Sequence, residues 1–254
     1  MRQMRIFAIG DLHLPSKRQK GMEVFGWTSH PKPLEGAWDA TVKADDLVLL
    51  VGDLSWATRS EEAADDFAWI DRRPGKKVLV KGNHDLWWGD SQKKLGAFLS
   101  PFPSVIGALH AASKSTGTAF QWGKVVLAGT RGWTVPEAPP FKAGDEMGDE
   151  VLRPDLVERE SKRLASSIAS AEEMARGTPG AIRIAAMHFP PLWANQKETT
   201  FSKQIEAFKP EVCVYGHLHG DGISAGFVGE ARGVKYRLVS CDAAKFAPQL
   251  IWEG

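Results

Sequence analysis

Five short apolar runs are spread along this chain, at residues 5–9, 47–51, 78–80, 182–186 and 212–215, and each ends directly in a polar motif. A brief apolar run rich in β-branched side chains and closed by turn residues reads as a buried strand. The closing motifs are Asp11-Leu12-His13, Gly52-Asp53, Gly82-Asn83-His84-Asp85, Met187-His188 and Gly216-His217-Leu218-His219. If the strands run parallel, their carboxyl ends lie along one edge of a sheet, where open α/β sheets form a crevice. Of the seven histidines, five sit in these motifs, and Asn83 is one of only two asparagines. Core packing does not produce such a concentration of polar side chains.

Strand and helix signals alternate in the first half. Helical stretches are expected at 34–43, 60–71 and 91–99, with Ser60 as the cap of the second and Glu61, Glu62, Asp65 and Asp66 suiting its positive end. Strand–helix–strand repetition favours parallel strands covered by helices. The middle reads as strands at 104–110, 119–122 and 124–129, with a tight turn at Trp122-Gly123-Lys124. A loop rich in Pro, Gly and acidic residues follows at 131–150, then a long helix at 154–176 with Pro154 in its first turn and Gly177 at its end. Leu156, Leu164, Ile168 and Met174 form its expected apolar stripe. Short strands at 222–228, 235–240 and 248–252 complete the chain, and a sandwich of two sheets flanked by helices fits this mixture better than one doubly wound sheet.

At 254 residues the chain suits one domain over 1–254, with 43% hydrophobic and 25% charged residues as in ordinary globular proteins. A net charge of +1 argues against long nucleic acid as a partner. Cys213 and Cys241 both fall in strand-like runs and read as buried thiols of a reducing compartment. With no leader-like segment at residues 1–9 and no membrane-length apolar stretch, a cytoplasmic protein without membrane contact is expected. Ten tryptophans, several beside the motifs (Trp27, Trp56, Trp87, Trp88, Trp133, Trp193), read first as packing and second as the wall of a substrate pocket.

Imidazole with carboxylate suits Zn, Fe, Mn or Ni, and the inventory suffices for two such cations if one carboxylate bridges them. All five motifs, in this order, resemble those of the calcineurin-like metallophosphoesterases. The Trp-rich stretches further resemble a bacterial and archaeal branch of predicted phosphohydrolases. The resemblance implies a four-layer α/β/β/α sandwich of two mixed sheets flanked by helices. It implies Asp11, His13 and His219 on one metal, Asn83, His188 and His217 on the other, Asp53 between them, and a bridging hydroxide as nucleophile. His84 would assist the leaving group, Asp85 would orient His84 through its other ring nitrogen, and Asn83 would also hold the phosphoryl group. Arg131, at a strand end, is a candidate phosphate clamp. His30 and His110, outside the motifs, read as ordinary structural histidines.

Many relatives carry an acid three residues after the Gly-Asp aspartate, where this chain has Trp56. The Gly-Asn-His-Glu of protein phosphatases is Gly-Asn-His-Asp here, which disfavours a protein substrate. The resemblance thus implies a hydrolase of small phosphomonoesters or phosphodiesters. The alternatives are a nuclease or nucleotide pyrophosphatase on the same site, or a non-catalytic metal-binding scaffold.

Overall fold

The computed structural model describes residues 3–16, 22–23, 26–89, 91–109, 117–139 and 152–254. In the first half, β1 (Arg5–Ile9), α1 (Lys32–Thr41), β2 (Leu47–Leu50), α2 (Ser60–Arg72), β3 (Lys76–Val80), α3 (Gln92–Leu99) and β4 (Val105–Leu109) alternate. Next come β5 (Phe120–Trp122), β6 (Val125–Thr130), α4 (Pro154–Arg176), β7 (Ile182–Met187), α5 (Thr200–Phe208) and β8 (Val212–Tyr215). A 3-10 helix (Gly220–Ala225) leads to β9 (Gly229–Ala231), β10 (Val234–Leu238) and β11 (Gln249–Glu253). The strands form two mixed sheets, ordered β11-β1-β2-β3-β4 and β5-β6-β7-β8-β10-β9. β1 to β4 run parallel, as do β6, β7, β8 and β10, while β11, β5 and β9 pair antiparallel at the sheet margins.

Side-chain alternation along the strands divides the core into three layers. Ile6, Ala8, Leu49, Val51 and Val78 face Leu127, Ile184, Ala186 and Val214 of the other sheet. Their neighbours Phe7, Ile9, Leu50 and Leu79 meet the helical side chains Leu34, Trp38, Phe67 and Ile70. On the far side Ala128, Ala185, Cys213 and Tyr215 meet Leu164, Ala171, Phe201 and Ile205. This is the four-layer α/β/β/α sandwich that the motifs implied.

Several local expectations change. Ser60 is the first residue of α2 rather than its cap; Arg59 holds that position without a side-chain bond, and Glu62 instead accepts from the backbone N–H and the hydroxyl of Thr58, both at 3.0 Å. α4 buries Glu160, Leu164, Ser167, Ala171 and Ala175, so two polar residues lie in the stripe expected to be apolar. Ser167 fits because its hydroxyl accepts from Gly129 N–H at 2.9 Å and donates to Thr118 C=O at 2.6 Å. The stretch expected as a strand at 222–228 is the 3-10 helix, and β9 begins just beyond it. Helix α5 was not anticipated, although Thr199 and Ser202 form a reciprocal capping box at its start. The loop expected at 131–150 is described only to 139, and the remainder, like His110 and Phe25, lies outside the described residues. Among the described residues no helix is long and apolar enough to cross a membrane.

Candidate metal centre

The carboxyl ends of β1, β2, β3, β7 and β8 bring all seven expected ligands to one side of the sandwich. Asp11, His13 and His219 offer ligand atoms within 4.8 Å of one another, and so do Asp53, His188 and His217. Asp53 Oδ2 lies 3.4 Å from His188 Nε2 and 3.9 Å from His13 Nε2, which places this carboxylate between the two sets. Asn83 Oδ1 joins the second set, 2.7 Å from His188 Nε2 and 3.1 Å from His217 Nδ1.

Hydrogen bonds behind the ligands fix which ring atoms face the centre. His188 Nδ1 lies 2.9 Å from Val51 C=O, which can only accept, so Nδ1 carries a proton and Nε2 faces inward. There it meets the amide oxygen of Asn83 and His217 Nδ1, at 3.3 Å, so three atoms able to ligate a metal crowd on one point. A cation answers that crowding, and in this respect the donor set fits a metal. His219 repeats the device: its Nδ1 is 2.9 Å from Asp242 Oδ1, leaving Nε2 3.3 Å from Asp11 Oδ1. The Asp53 charge pushes the second-set imidazole of His188 up to about 9 against its burial, while burial holds His13 well below the usual range.

The loops pay in backbone strain for this convergence. Asp11, His13, Asp53 and His217 all adopt left-handed φ, at 58°, 41°, 53° and 76°, a conformation unusual for residues with side chains. Two glycines permit the close packing. A Cβ on Gly82 would come 2.0 Å from Asp53 Oδ1, and one on Gly216 would come 2.2 Å from Asp11 Oδ2. Asp53 Oδ1 also accepts the His84 N–H at 2.8 Å, and Asp11 accepts the His217 N–H at 2.9 Å.

Asp85 does not hold the His84 ring. Its two oxygens accept from the backbone of Asp53 (2.9 Å), Leu54 (2.9 Å) and Gly82 (2.8 Å) and from Trp87 Nε1 (2.9 Å). It therefore ties the Gly-Asp loop to the Gly-Asn-His-Asp loop. Burial, reinforced by Asp53, raises its carboxyl to about 6. The His84 ring instead lies against Trp56, with centroids 4.9 Å apart, and Trp56 stacks on His13 at 4.6 Å. An indole thus occupies the place where many relatives have an acid.

Several tryptophans pack against the motif loops. Trp27, Trp56, Trp87, Trp88 and Trp193 are buried, and Trp27 stands edge-on to His219 at 5.5 Å. Trp133 is half-buried and packs on Phe189 at 5.0 Å, which lies over His217 at 3.9 Å. Arg131 is on this flank rather than among the donors. Its guanidinium bonds Glu160 at 3.2 Å and lies 4.8 Å over the Trp133 ring.

A calcineurin-like phosphoesterase family model matches residues 4–221. The chain belongs to that family. Two curated relatives, both called Gene 66 protein, come from the Mycobacterium phages L5 and D29. The first is 37% identical over 103 residues, 37% of this chain and 48% of the relative, and the second 32% identical over 81 residues, 32% and 40%. The matched stretch thus spans about half or less of those relatives. Among solved structures, phosphopantetheinyl hydrolase of Mycobacterium tuberculosis shares the fold at a TM-score of 0.51 with 15% identity, over 94% of this chain and 89% of that one. Family membership and the two His/Asp clusters together make this phosphoesterase a candidate for two metal ions.

Two residues of the site escaped the sequence reading. Asp242 follows the apolar run before it like any turn aspartate, and only the fold carries it to His219. His30, expected to be merely structural, is 2.6 Å from Leu12 C=O and braces the Asp-Leu-His loop from behind.

Proposed function

We propose that this chain is a dinuclear metal-dependent phosphohydrolase acting on small phosphomonoesters or phosphodiesters. The observation that carries the reading is the convergence of ligand atoms from Asn83, His188 and His217 beside a buried Asp53 that faces both clusters. Asp11, His13 and His219 would hold one ion, Asn83, His188 and His217 the other, and Asp53 both. Bound cations would supply Lewis-acid chemistry, acidifying water and drawing charge from phosphoryl oxygens.

The protein's own share is orientation and proton handling. Val51 C=O and Asp242 hold the rings of His188 and His219 so that Nε2 of each faces the centre. His84 is anchored by its backbone to Asp53, and its ring, half-buried, remains accessible beside Trp56. Burial holds His84 below the ordinary histidine range against the charge of Asp53, and its ring N–H would give a hydrogen bond to the departing oxygen. Asn83 would share its amide between the centre and a phosphoryl oxygen.

The test is chelation followed by addition of Mn²⁺ or Ni²⁺, with an aryl phosphate and a bis-aryl phosphate as substrates. Hydrolysis should vanish and return with the metal. An activity indifferent to the chelator would reject the reading.

A further inference from the structure

Beside the metal centre, Glu160 on α4 is a buried carboxylate surrounded by three guanidiniums. Its Oε1 accepts from Arg163 at 2.6 Å and from Arg131 at 3.2 Å, and lies 3.8 Å from Arg159 Nε. Its Oε2 accepts from the Thr130 hydroxyl at 2.6 Å. Among the described residues, one negative charge therefore stands among three positive ones. The Nε–H groups of all three arginines are buried without an acceptor among the described residues. Buried unanswered donors and excess positive charge are both costly, and a bound anion would relieve both.

The cluster is placed to serve the centre. Arg131 follows β6, whose last residue pairs with Met187 beside His188, and its carbonyl accepts the Phe189 N–H at 2.8 Å. Through Trp133 and Phe189 a continuous wall of rings joins the Arg131 guanidinium to His217. Arg159 is the exposed end of the cluster, with 39% of its side chain accessible, whereas Arg131 and Arg163 are mostly covered.

We propose that Arg131, Arg159 and Arg163 form a second anion subsite, which receives a phosphate group carried by the substrate apart from the one being cleaved. The inference rests on the phosphohydrolase reading and narrows its substrate class to compounds bearing two phosphate groups. Guanidinium forks match phosphate oxygens in charge and geometry, and Glu160 holds the forks in place before the ligand arrives. The ring wall between the two subsites suits a flat or apolar linker.

The test has two arms. In the first, the Mn²⁺-loaded protein hydrolyses an aryl monophosphate and the same aryl ring bearing two phosphates. The second phosphate should raise kcat/KM roughly tenfold, the size of one charge-assisted hydrogen bond, mainly through KM. Arg159→Gln should bring that ratio close to one, and Arg159→Lys should restore part of it. In the second arm, calorimetry follows inorganic pyrophosphate binding to the chelator-treated protein, with binding weakened about tenfold by Arg159→Gln. Equal kcat/KM for the two substrates, or pyrophosphate binding indifferent to Arg159, would overturn the subsite. Loss of both activities with pyrophosphate binding intact and Arg159-dependent would instead remove the phosphohydrolase reading and leave the subsite standing.

Discussion

The two ends of the first sheet handle charge in opposite ways. At the amino ends of β1, β2 and β3 the cations find oxygens. Arg5 forks onto Asp46, with Nε at 3.1 Å from Oδ1, and Asp46 also accepts the Lys43 N–H at 2.7 Å. Arg73 reaches Asp39 at 2.6 Å and Glu35 at 2.9 Å, and the buried Lys77 donates to Arg73 C=O and, at 3.0 Å, to Ser104 Oγ. At the carboxyl ends atoms able to ligate a metal crowd together, and four candidate ligand residues sit in left-handed backbone. One end spends its polar groups on holding the fold. The other keeps them in tension, as a site must when its partner arrives from solution.

That contrast should separate under mutation. The largest effect is expected for Asp53→Asn, which removes the carboxylate common to both clusters; turnover should fall by more than ~100-fold, beyond the loss typical of outer-shell partners. Two ions per chain in that variant, by elemental analysis, would refute the bridging role. His84→Ala should lower kcat by about 10²- to 10⁴-fold while metal content stays at the wild-type level. Unchanged turnover would show that His84 has no part in leaving-group departure. For Asp242→Asn, metal affinity should drop roughly 10- to 100-fold, read as a higher chelator sensitivity with a near-normal circular dichroism spectrum.

At the opposite end the effects should be on stability alone. Asp46→Ala should destabilise the fold by about 1–3 kcal/mol, because Arg5 and the Lys43 amide lose their acceptor. Metal content and turnover per folded molecule should not change, and a parallel fall in either would break the division between the two ends. The subtlest effect concerns Lys77, whose ammonium burial pushes down to about 8. The native state then sheds this proton before the unfolded chain does, so its contribution to stability rises with pH from about 8 to the unfolded value of about 10.4. Lys77→Met should lack that rise, measured as the difference between urea midpoints of mutant and wild type at pH 7 and pH 10.

The convergence of the candidate ligand residues was legible because each closes a buried strand, and a strand end is a position that sequence marks twice, by the apolar run and by the turn residues. The layers followed from the same runs. What was illegible depends on contacts across sequence distance. Glu160 looks exposed in a polar helix, and only its place over β6 among three arginines buries it. Asp85 sits next to His84 in sequence, yet the loop turns its carboxylate towards the Asp53 and Leu54 amides. Asp242 and His219 are 23 residues apart and meet only once β8 and β10 pair. Helix α5 is short, nine residues, and its local signals are the capping box and the three apolar side chains Phe201, Ile205 and Phe208 on one face.

The central claim is that the acceptor-rich end of the strands holds two cations with Asp53 between them. Anomalous diffraction from crystals grown with Mn²⁺ tests it most directly. Two peaks are expected, one among Asp11, His13 and His219 and one among Asn83, His188 and His217, with Asp53 touching both. A single peak, or two peaks away from Asp53, would contradict it.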